Sequence, residues 1–245
     1  MGKRILIAAP VHQNEEVFKE YLNSLKHLII PEDCEIKKFF YLHNSPNLKQ
    51  FLQEEEYKEL LDNSTYSLFL HKFKKDNYSA LSYMRSSILE KARKENYDYV
   101  FSVDSDILLH PKTLQLALKD NKDIIGILNW SNNYLGTTGK IVPNCYDLEY
   151  WKWWEYDGLI NKTLYERGIV MGAVLIGPRV LQNKNIDYYP ISQYDYFTWE
   201  DYAFSLKAHV NIPDLQVFLE TRLPARHLYR EKDYIRWIKE KQQYE

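Results

Sequence analysis

The stretch that decides the fold is Tyr97-Asp98-Tyr99-Val100-Phe101-Ser102-Val103-Asp104-Ser105-Asp106. Its first part, residues 97–103, is short and mostly apolar, which is typical of a central strand in a parallel sheet. Two aspartates then follow directly at the end of this strand. Like charges so close to a buried strand repel each other and lose hydration, and a divalent cation would relieve both costs. The alternative is a turn in which one aspartate caps the following segment.

On both sides of this stretch, apolar runs alternate with amphipathic segments. The predicted strands are residues 5–9, 35–42, 66–73, 97–103 and 123–128. The predicted helices are residues 17–28, 48–61, 78–96 and 111–119, the last with Pro111 in its first turn. Strands separated by helices of this length predict an α/β fold with a mostly parallel central sheet and helices on both faces.

The pattern changes after Leu128. Residues 129–140 are rich in Asn, Ser, Gly and Thr and predict a loop, either a lid over a ligand or a plain connection. Residues 144–156 are dense in Tyr and Trp, which suits either a surface that stacks sugars or a core or oligomer interface. Beyond them we predict strands at 169–176 and 215–220 and helices at 178–182, 198–209 and 233–243.

Length and composition exclude several classes of protein. The 245 residues suit one domain, and the net charge of −2 gives no strong field toward nucleic acid or anionic lipid. The two cysteines, Cys34 and Cys145, form no C-x-x-C pair, which argues against thiol-ligated zinc and a disulfide framework. No apolar run approaches the roughly 18–20 residues that span a bilayer. We therefore expect a single cytoplasmic domain over 1–245, with halves 1–130 and 131–230 and a C-terminal helix in 231–245.

Three polar stretches follow predicted strands: residues 10–14, 43–47 and 104–106. In an open parallel sheet, ligands bind beyond the carboxyl ends of the strands, so these stretches predict where a ligand lies. Mg²⁺ and Mn²⁺ prefer carboxylate oxygen and often bind substrate phosphates as well.

Several motifs, in order along the chain, resemble those of nucleotide-sugar glycosyltransferases with the GT-A (Rossmann-like) fold, particularly glycosyltransferase family 2. Asp104-Ser105-Asp106 is similar to the D-x-D motif of that family, and Trp199-Glu200-Asp201 to its E-D motif at a helix start. The other matching segments are residues 5–11 with Asn14-Glu15-Glu16, residues 77–85, residues 171–179 and His227. The resemblance covers residues 3–230 and implies a central sheet with a small acceptor-side subregion.

The resemblance also implies roles for individual residues. Asp106 would ligate Mn²⁺ or Mg²⁺, Asp104 would contact ribose or share the metal, and His227 would be a third ligand. The metal would act as a Lewis acid on the diphosphate of the donor. The expected donor-binding residues are Ala9, Pro10, Val11, Asn44, Arg85, Asp104 and Ser105, and the expected acceptor residues are Gly172 and Trp199.

The position that meets the nucleobase departs from the pattern of the family. The family usually has an aspartate after the second strand, where this chain has His43-Asn44-Ser45, so the identity of the nucleotide stays open, with a UDP-sugar expected first.

An inverting transfer needs one carboxylate to deprotonate the acceptor hydroxyl, and we predict that this general base is Asp201, with Glu200 holding the acceptor. Thr198-x-x-Asp201 is also a capping-box pattern, and acids in a first helical turn favour the helix dipole without any catalysis.

The predicted enzyme is therefore a glycosyltransferase of the hexosyltransferase type that acts on an acceptor hydroxyl. The sequence identifies neither the acceptor molecule nor the oligomeric state. Nucleic acid is not the expected acceptor, given the mild negative charge. One alternative is a phosphohydrolase of the haloacid dehalogenase type using Asp104 and Asp106, but its motif normally follows the first strand. Another is a non-catalytic nucleotide-sugar binding module. A nucleotidyltransferase would need a Gly-rich loop where residues 9–12 stand.

Overall fold

The computed structural model describes residues 2–12, 15–43, 52–53, 55–58, 60–69, 77–132, 141–143, 145–146, 163–165, 168–169, 171–191 and 200–228. The strands in these residues are β1 Lys3–Val11, β2 Cys34–His43, β3 Ser64–Phe69, β4 Tyr99–Val103, β5 Ile107–Leu108, β6 Ile124–Ile127, β7 Trp130–Asn132, β8 Ile141–Pro143, β9 Cys145–Tyr146, β10 Thr163–Tyr165, β11 Gly168–Ile169, β12 Ala173–Ile176, β13 Val217–Glu220 and β14 Arg226–His227. The helices are α1 Glu15–Lys26, α2 Glu55–Lys58, α3 Asn77–Lys94, α4 Thr113–Asp120, α5 Pro178–Leu181 and α6 Glu200–Asn211.

One eight-stranded sheet, in the order β10-β13-β6-β12-β4-β1-β2-β3, forms the centre of the molecule. β1 pairs in parallel with β2 and β4, β2 with β3, and β6 with β13. β12 is antiparallel to both β4 and β6, and β10 is antiparallel to β13. All strands except β10 and β12 thus point the same way, which confirms the prediction of a mostly parallel sheet.

Alternate residues of the buried strands pack on opposite faces of this sheet, as the period of two requires. From β1, Ile5 and Ile7 join the cluster that contains α1 and α4 side chains such as Phe18 and Leu114. Leu6 and Ala8 join the opposite cluster, with side chains from α3, α5 and α6. Because every residue of β4 is buried, the strand that leads into Asp104 is held rigidly from both faces.

Most predicted elements are confirmed with small shifts at their ends, but four predictions need correction. The 48–61 helix is helical only at Glu55–Lys58 among its described residues, and 60–63 is a turn. Pro111 precedes the α4 N-cap, Lys112, instead of lying in the first turn. Residues 130–132 are not loop but β7, which pairs with β8. The strand predicted at 169–176 is interrupted by a turn at Met171-Gly172, which separates β11 from β12.

The β7–β8 hairpin and the break between β11 and β12 were not predicted, for the same physical reason. A strand is stabilised by the partner it pairs with, and that partner lies elsewhere in the chain, so local composition is a weak guide. The predicted aromatic segment and the C-terminal helix lie mostly or wholly outside the described residues. Across the described helices, none has the length and apolar character needed to cross a bilayer.

Candidate active site

A cavity of about 200 Å³ opens at the carboxyl edge of the central sheet. Its walls come from the ends of β1 and β2, from one side of α3 and from the turn that follows β4. The residues that line it are Pro10, His12, His43, Leu81, Met84, Arg85, Asp104, Ser105 and Asp106. The prediction that polar stretches after neighbouring strands meet at one edge agrees with this geometry.

Arg85 is the cation at the base of the cavity, and only 4% of its side chain is exposed. Its Nη2 donates to Asp104 Oδ1 at 2.7 Å and to Oδ2 at 3.0 Å, while its Nη1 lies 3.5 Å from Glu200 Oε1. Its buried Nε has no hydrogen-bond partner among the residues that the structure describes. Arg85 thereby joins a carboxylate that follows β4 to a carboxylate in the first turn of α6.

Burial raises the pKa of Asp104 to about 7, because the charged form loses water. Arg85 and His227 oppose this rise in the pKa, and the neighbouring acids Asp106 and Glu200 add to it. Burial also acts on Arg85, where it disfavours the cation, but Asp104 and Glu200 outweigh it and raise the pKa of the guanidinium. Arg85 therefore stays charged, and Asp104 is its main partner.

Asp106 meets His227 although the two residues are far apart in sequence. β14 pairs antiparallel with β5, in a register that places His227 opposite Ile107. The Leu228 amide donates to the Asp106 carbonyl at 2.7 Å. His227 Nε2 then lies 3.4 Å from Asp106 Oδ2, with 16% and 10% of the two side chains exposed. An imidazole nitrogen and a carboxylate oxygen, both of them atom types that ligate metal ions, therefore lie next to each other beside the cavity.

The predicted metal set of Asp104, Asp106 and His227 is not assembled as one group. Among the described residues, no three His, Cys, Asp or Glu side chains are arranged to hold a metal ion. Asp104 directs both of its oxygens toward Arg85 Nη2, and its role as a metal ligand stays a prediction. The remaining pair, Asp106 and His227, still fits Mn²⁺ or Mg²⁺, because these ions accept few protein ligands and complete their shell with water and substrate phosphates.

Glu200 and Asp201 open α6 and are buried, with 7% and 5% exposure. Asp201 Oδ1 accepts a hydrogen bond from the Tyr202 amide at 2.8 Å. Thr198, the other residue of the predicted capping box, lies outside the described residues. Burial and the neighbouring Glu200 raise the pKa of Asp201 to about 7, against the opposing effects of Arg85 and the Tyr202 amide. A carboxylate with such a pKa can accept a proton near neutral pH as well as cap the helix.

Gly172 has a structural role at the start of β12. Its carbonyl accepts the Asp104 amide at 2.7 Å. A Cβ added at Gly172 would lie 2.6 Å from Asn129 Nδ2, a separation that real Cβ atoms do not show. A side chain at position 172 would therefore require Asn129 to shift, and contact of Gly172 with an acceptor stays a prediction.

The other predicted donor residues are placed as follows. Ala9, Pro10 and Val11 are buried residues at the end of β1, and Pro10 lines the cavity. Ser105 is buried and also lines it. Asn44 and Trp199 lie outside the described residues.

Sequence reasoning missed three residues at this edge. His12 and His43 line the cavity, with ring centroids 5.2 Å apart, and the only signal for them was their position in the polar stretches after β1 and β2. Tyr21 of α1 was predicted only as an apolar helix position. Its hydroxyl donates to the Val103 carbonyl at 3.2 Å. Burial, helped by Asp104 and Asp106, raises the pKa of this hydroxyl, so it remains protonated beneath the two aspartates.

Comparison with known proteins identifies the fold. No protein-family model and no curated protein sequence matches the chain. The structure of S. aureus TarS 1-349 in complex with UDP-GlcNAc is similar with a TM-score of 0.61 and 18% identity, over 93% of this chain and 59% of that one. The mannosyltransferase PcManGT from Pyrobaculum calidifontis, in complex with GDP-Man and Mn²⁺, is similar with a TM-score of 0.55 and 11% identity, over 97% of this chain and 60% of that one.

These neighbours have the GT-A fold, so the predicted fold class is confirmed. The fold is not that of the haloacid dehalogenase phosphohydrolases, which was the fold behind the first alternative. The chain spans less than two thirds of the length of either neighbour.

Proposed function

We propose that this chain, which has the GT-A fold, is a metal-dependent glycosyltransferase that moves a sugar from a nucleotide-diphosphate sugar to an acceptor hydroxyl with inversion. The observation that carries the proposal is the position of Arg85, within 2.7 Å of Asp104 and 3.5 Å of Glu200. It holds together two acidic pairs, one after β4 and one at the start of α6. An inverting transfer needs stabilisation of the leaving diphosphate on the donor side and one carboxylate base on the acceptor side.

On the donor side, Asp106 and His227 would hold Mn²⁺ or Mg²⁺. When bound, the ion supplies Lewis acidity to the diphosphate, which leaves as a nucleoside diphosphate. The ligands bound in the neighbouring structures, UDP-GlcNAc in one and GDP-Man with Mn²⁺ in the other, support this class of donor and a divalent ion. Asp104, which Arg85 holds, would accept a hydrogen bond from a ribose hydroxyl.

On the acceptor side, Asp201 is the proposed general base. The acceptor oxygen forms a bond to the anomeric carbon as the bond from that carbon to the diphosphate breaks, and the acceptor proton passes to the Asp201 carboxylate. The pKa of about 7 suits this role, because a base with a pKa near the working pH both exists ionised and binds the proton well. It also favours an enzyme over a non-catalytic binding module, which has no need of a proton acceptor.

The division of labour between the two halves is part of the same proposal. Residues 1–130 would bind the donor, and acceptor contacts such as Gly172 and Trp199 would come from 131–230. The sugar, the nucleobase and the acceptor are open, with a UDP-sugar as the first donor to test.

The test is a thermal-melt screen of nucleotide sugars and their nucleoside diphosphates, each with Mn²⁺ and with a chelator. A ligand that binds only the folded state stabilises it, by about 2.7 kcal/mol at 100 times its dissociation constant. We expect at least one donor to raise the melting temperature only when Mn²⁺ is present, and Asp106→Asn to remove that shift. If no nucleotide sugar stabilises the wild-type protein with Mn²⁺, the proposed function is wrong.

A further inference from the structure

His227 reaches Asp106 on a segment that has little regular structure of its own. Between the end of β13 and the two-residue strand β14, residues 221–225 form no helix or strand. The ladder between β14 and β5 consists of Arg226 opposite Leu108 and His227 opposite Ile107. So short a ladder fixes the imidazole weakly, and other contacts must hold the segment in place.

Arg222 provides the strongest of these contacts. Its Nε donates to both oxygens of Glu220 at 2.8 Å, and its amide donates to Glu220 Oε1 at 2.6 Å. Its Nη2 contacts Glu220 Oε2 and donates to Asp120 Oδ2 at 2.6 Å. Glu220 is fully buried at the end of β13, and Asp120 is the last residue of α4. We call this arrangement the Arg222 clamp: Asp120, Glu220 and Arg222.

The clamp fixes the start of the segment, and two backbone bonds fix the rest. The Ala225 amide donates to the Leu128 carbonyl at 2.7 Å, and the Leu228 amide donates to the Asp106 carbonyl at 2.7 Å. His227 lies between these last two points. Arg222 and the Ala225 amide together set where the segment enters β14, and thereby where the imidazole lies beside Asp106.

We propose that Arg222 is a positioning residue for the metal site, acting through His227. The inference rests on the proposed function in one respect, namely that Asp106 and His227 hold the ion. Groups that orient metal ligands from behind commonly contribute about 10–100-fold to metal affinity. Arginine suits the role, because its planar fork can hold two carboxylates at once, whereas the single ammonium of lysine cannot hold the same geometry.

A purely stabilising role for the clamp can be separated from a positioning role by a matched pair elsewhere in the fold. At the opposite edge of the sheet, Arg179 Nη1 donates to Asp123 Oδ2 at 3.0 Å and Nη2 donates to the Pro213 carbonyl at 2.8 Å. Arg179 thus also ties a loop to a strand, but it does so at the amino end of β6, far from Asp106. Its loss should affect stability alone.

The experiment measures the dissociation constant for Mn²⁺ alone by electron paramagnetic resonance, with no nucleotide present. The variants are Arg222→Lys, the milder Asp120→Asn, and Arg179→Met as the control, each made with His227 and with His227→Ala. Circular dichroism first establishes that each variant is folded under the conditions of the titration. Asp120→Asn keeps Glu220 paired and serves if Arg222→Lys unfolds.

We expect Arg222→Lys to weaken Mn²⁺ binding about tenfold, Asp120→Asn to weaken it less, and Arg179→Met to leave it unchanged. In the His227→Ala background the effect of Arg222→Lys should shrink to less than about twofold, because the two changes act through one ligand. Unchanged affinity in the folded Arg222→Lys or Asp120→Asn variants, an equal loss in both backgrounds, or an equal loss in Arg179→Met would overturn the inference alone. If His227→Ala and Asp106→Asn both bind Mn²⁺ like the wild type, the metal assignment of the proposed function fails with it.

Discussion

The two edges of the central sheet handle charge in different ways. At the amino edge, aspartates that stand just before parallel strands each have a dedicated donor. Asp33 accepts from Lys3 Nζ at 2.8 Å, Asp98 from the Arg4 amide at 2.8 Å, and Asp123 from Arg179 Nη1 at 3.0 Å. Each of these three aspartates has a partner, as expected where the only requirement is a stable fold.

Among the described residues of the carboxyl edge, acids outnumber the cations beside them. Asp104 and Glu200 share Arg85, and Asp201 follows Glu200 directly in α6. Asp106 lies beside the imidazole of His227. Burial raises the pKa values of Asp104 and Asp201 to about 7. Charge is thus concentrated where it is unfavourable for stability, which is the pattern of functional sites.

The fold thus pairs its acids for stability at the amino ends of the strands and leaves acids with raised pKa values at the carboxyl ends. Substitutions at the two edges should therefore have different effects, on binding and turnover at one edge and on stability alone at the other.

The largest effect should come from Asp106→Asn, which we expect to abolish Mn²⁺-dependent nucleotide binding while the fold stays intact. An amide has no charge and is a much poorer ligand for a hard ion than a carboxylate. Titration of Mn²⁺ with UDP into the variant is the measurement. Asp98→Asn, at the other end of β4, is the matched control, because it keeps an acceptor for the Arg4 amide and should bind like the wild type. Wild-type affinity in Asp106→Asn would contradict the metal assignment.

Asp201→Asn should lower the rate of sugar transfer by at least about 100-fold with donor affinity unchanged, because asparagine cannot take the acceptor proton. The variant keeps the size of the side chain and an oxygen for the Tyr202 amide, so the helix should remain capped. Turnover is measured with a donor found by the melting screen, and Glu200→Gln in parallel should lose less. Transfer by Asp201→Asn at near the wild-type rate would show that Asp201 only caps α6.

The same residue predicts how stability depends on pH. The pKa of Asp201 is about 7 in the folded protein against an ordinary value of 3.8, so the folded state binds the proton more tightly than the unfolded state does. Its contribution to stability is therefore largest below pH 3.8 and is lost as the pH rises through about 7. Asp201→Asn removes this loss, so the variant should gain stability relative to the wild type between these two values.

Urea unfolding of both proteins across that pH range is the measurement. Because Asp104 titrates in both proteins, the difference between the two curves isolates Asp201. Parallel curves would mean that the side chain ionises normally and that the carboxyl edge carries less strain than we infer.

The smallest effect belongs to the amino edge. Asp123→Ala should lower the free energy of unfolding by about 1.5–3 kcal/mol, because the buried Asp123 holds both Arg179 and the Gln216 amide. Nucleotide and Mn²⁺ affinity should not change. Asp33→Ala removes an exposed ion pair and should leave the melting temperature nearly unchanged, which makes it the control. A loss of nucleotide affinity in folded Asp123→Ala would break the division between the two edges.

Local pattern was sufficient for much of the fold. The sequence correctly predicted the buried strands β1 and β4 and the apolar stripe of Met84, Ile88 and Ala92 on α3. Burial on one or both faces imposes a period that the sequence displays. Asp104 and Asp106 were predicted as site residues because an acid pair directly after a buried strand has few structural uses. The hairpin of β7 and β8 was not found, because neither strand has a pattern apart from its partner.

The α/β order, the edge at which the cavity lies and the acidic residues that line it were predictable from the sequence. Which acid meets which cation became visible only in the folded chain: Arg85 joins Asp104 to Glu200, and the pairing of β14 with β5 brings His227 to Asp106. The physical reason is range. Periodicity and capping act over a few neighbouring residues, whereas ion pairs and short strand ladders depend on distances that only the folded chain sets.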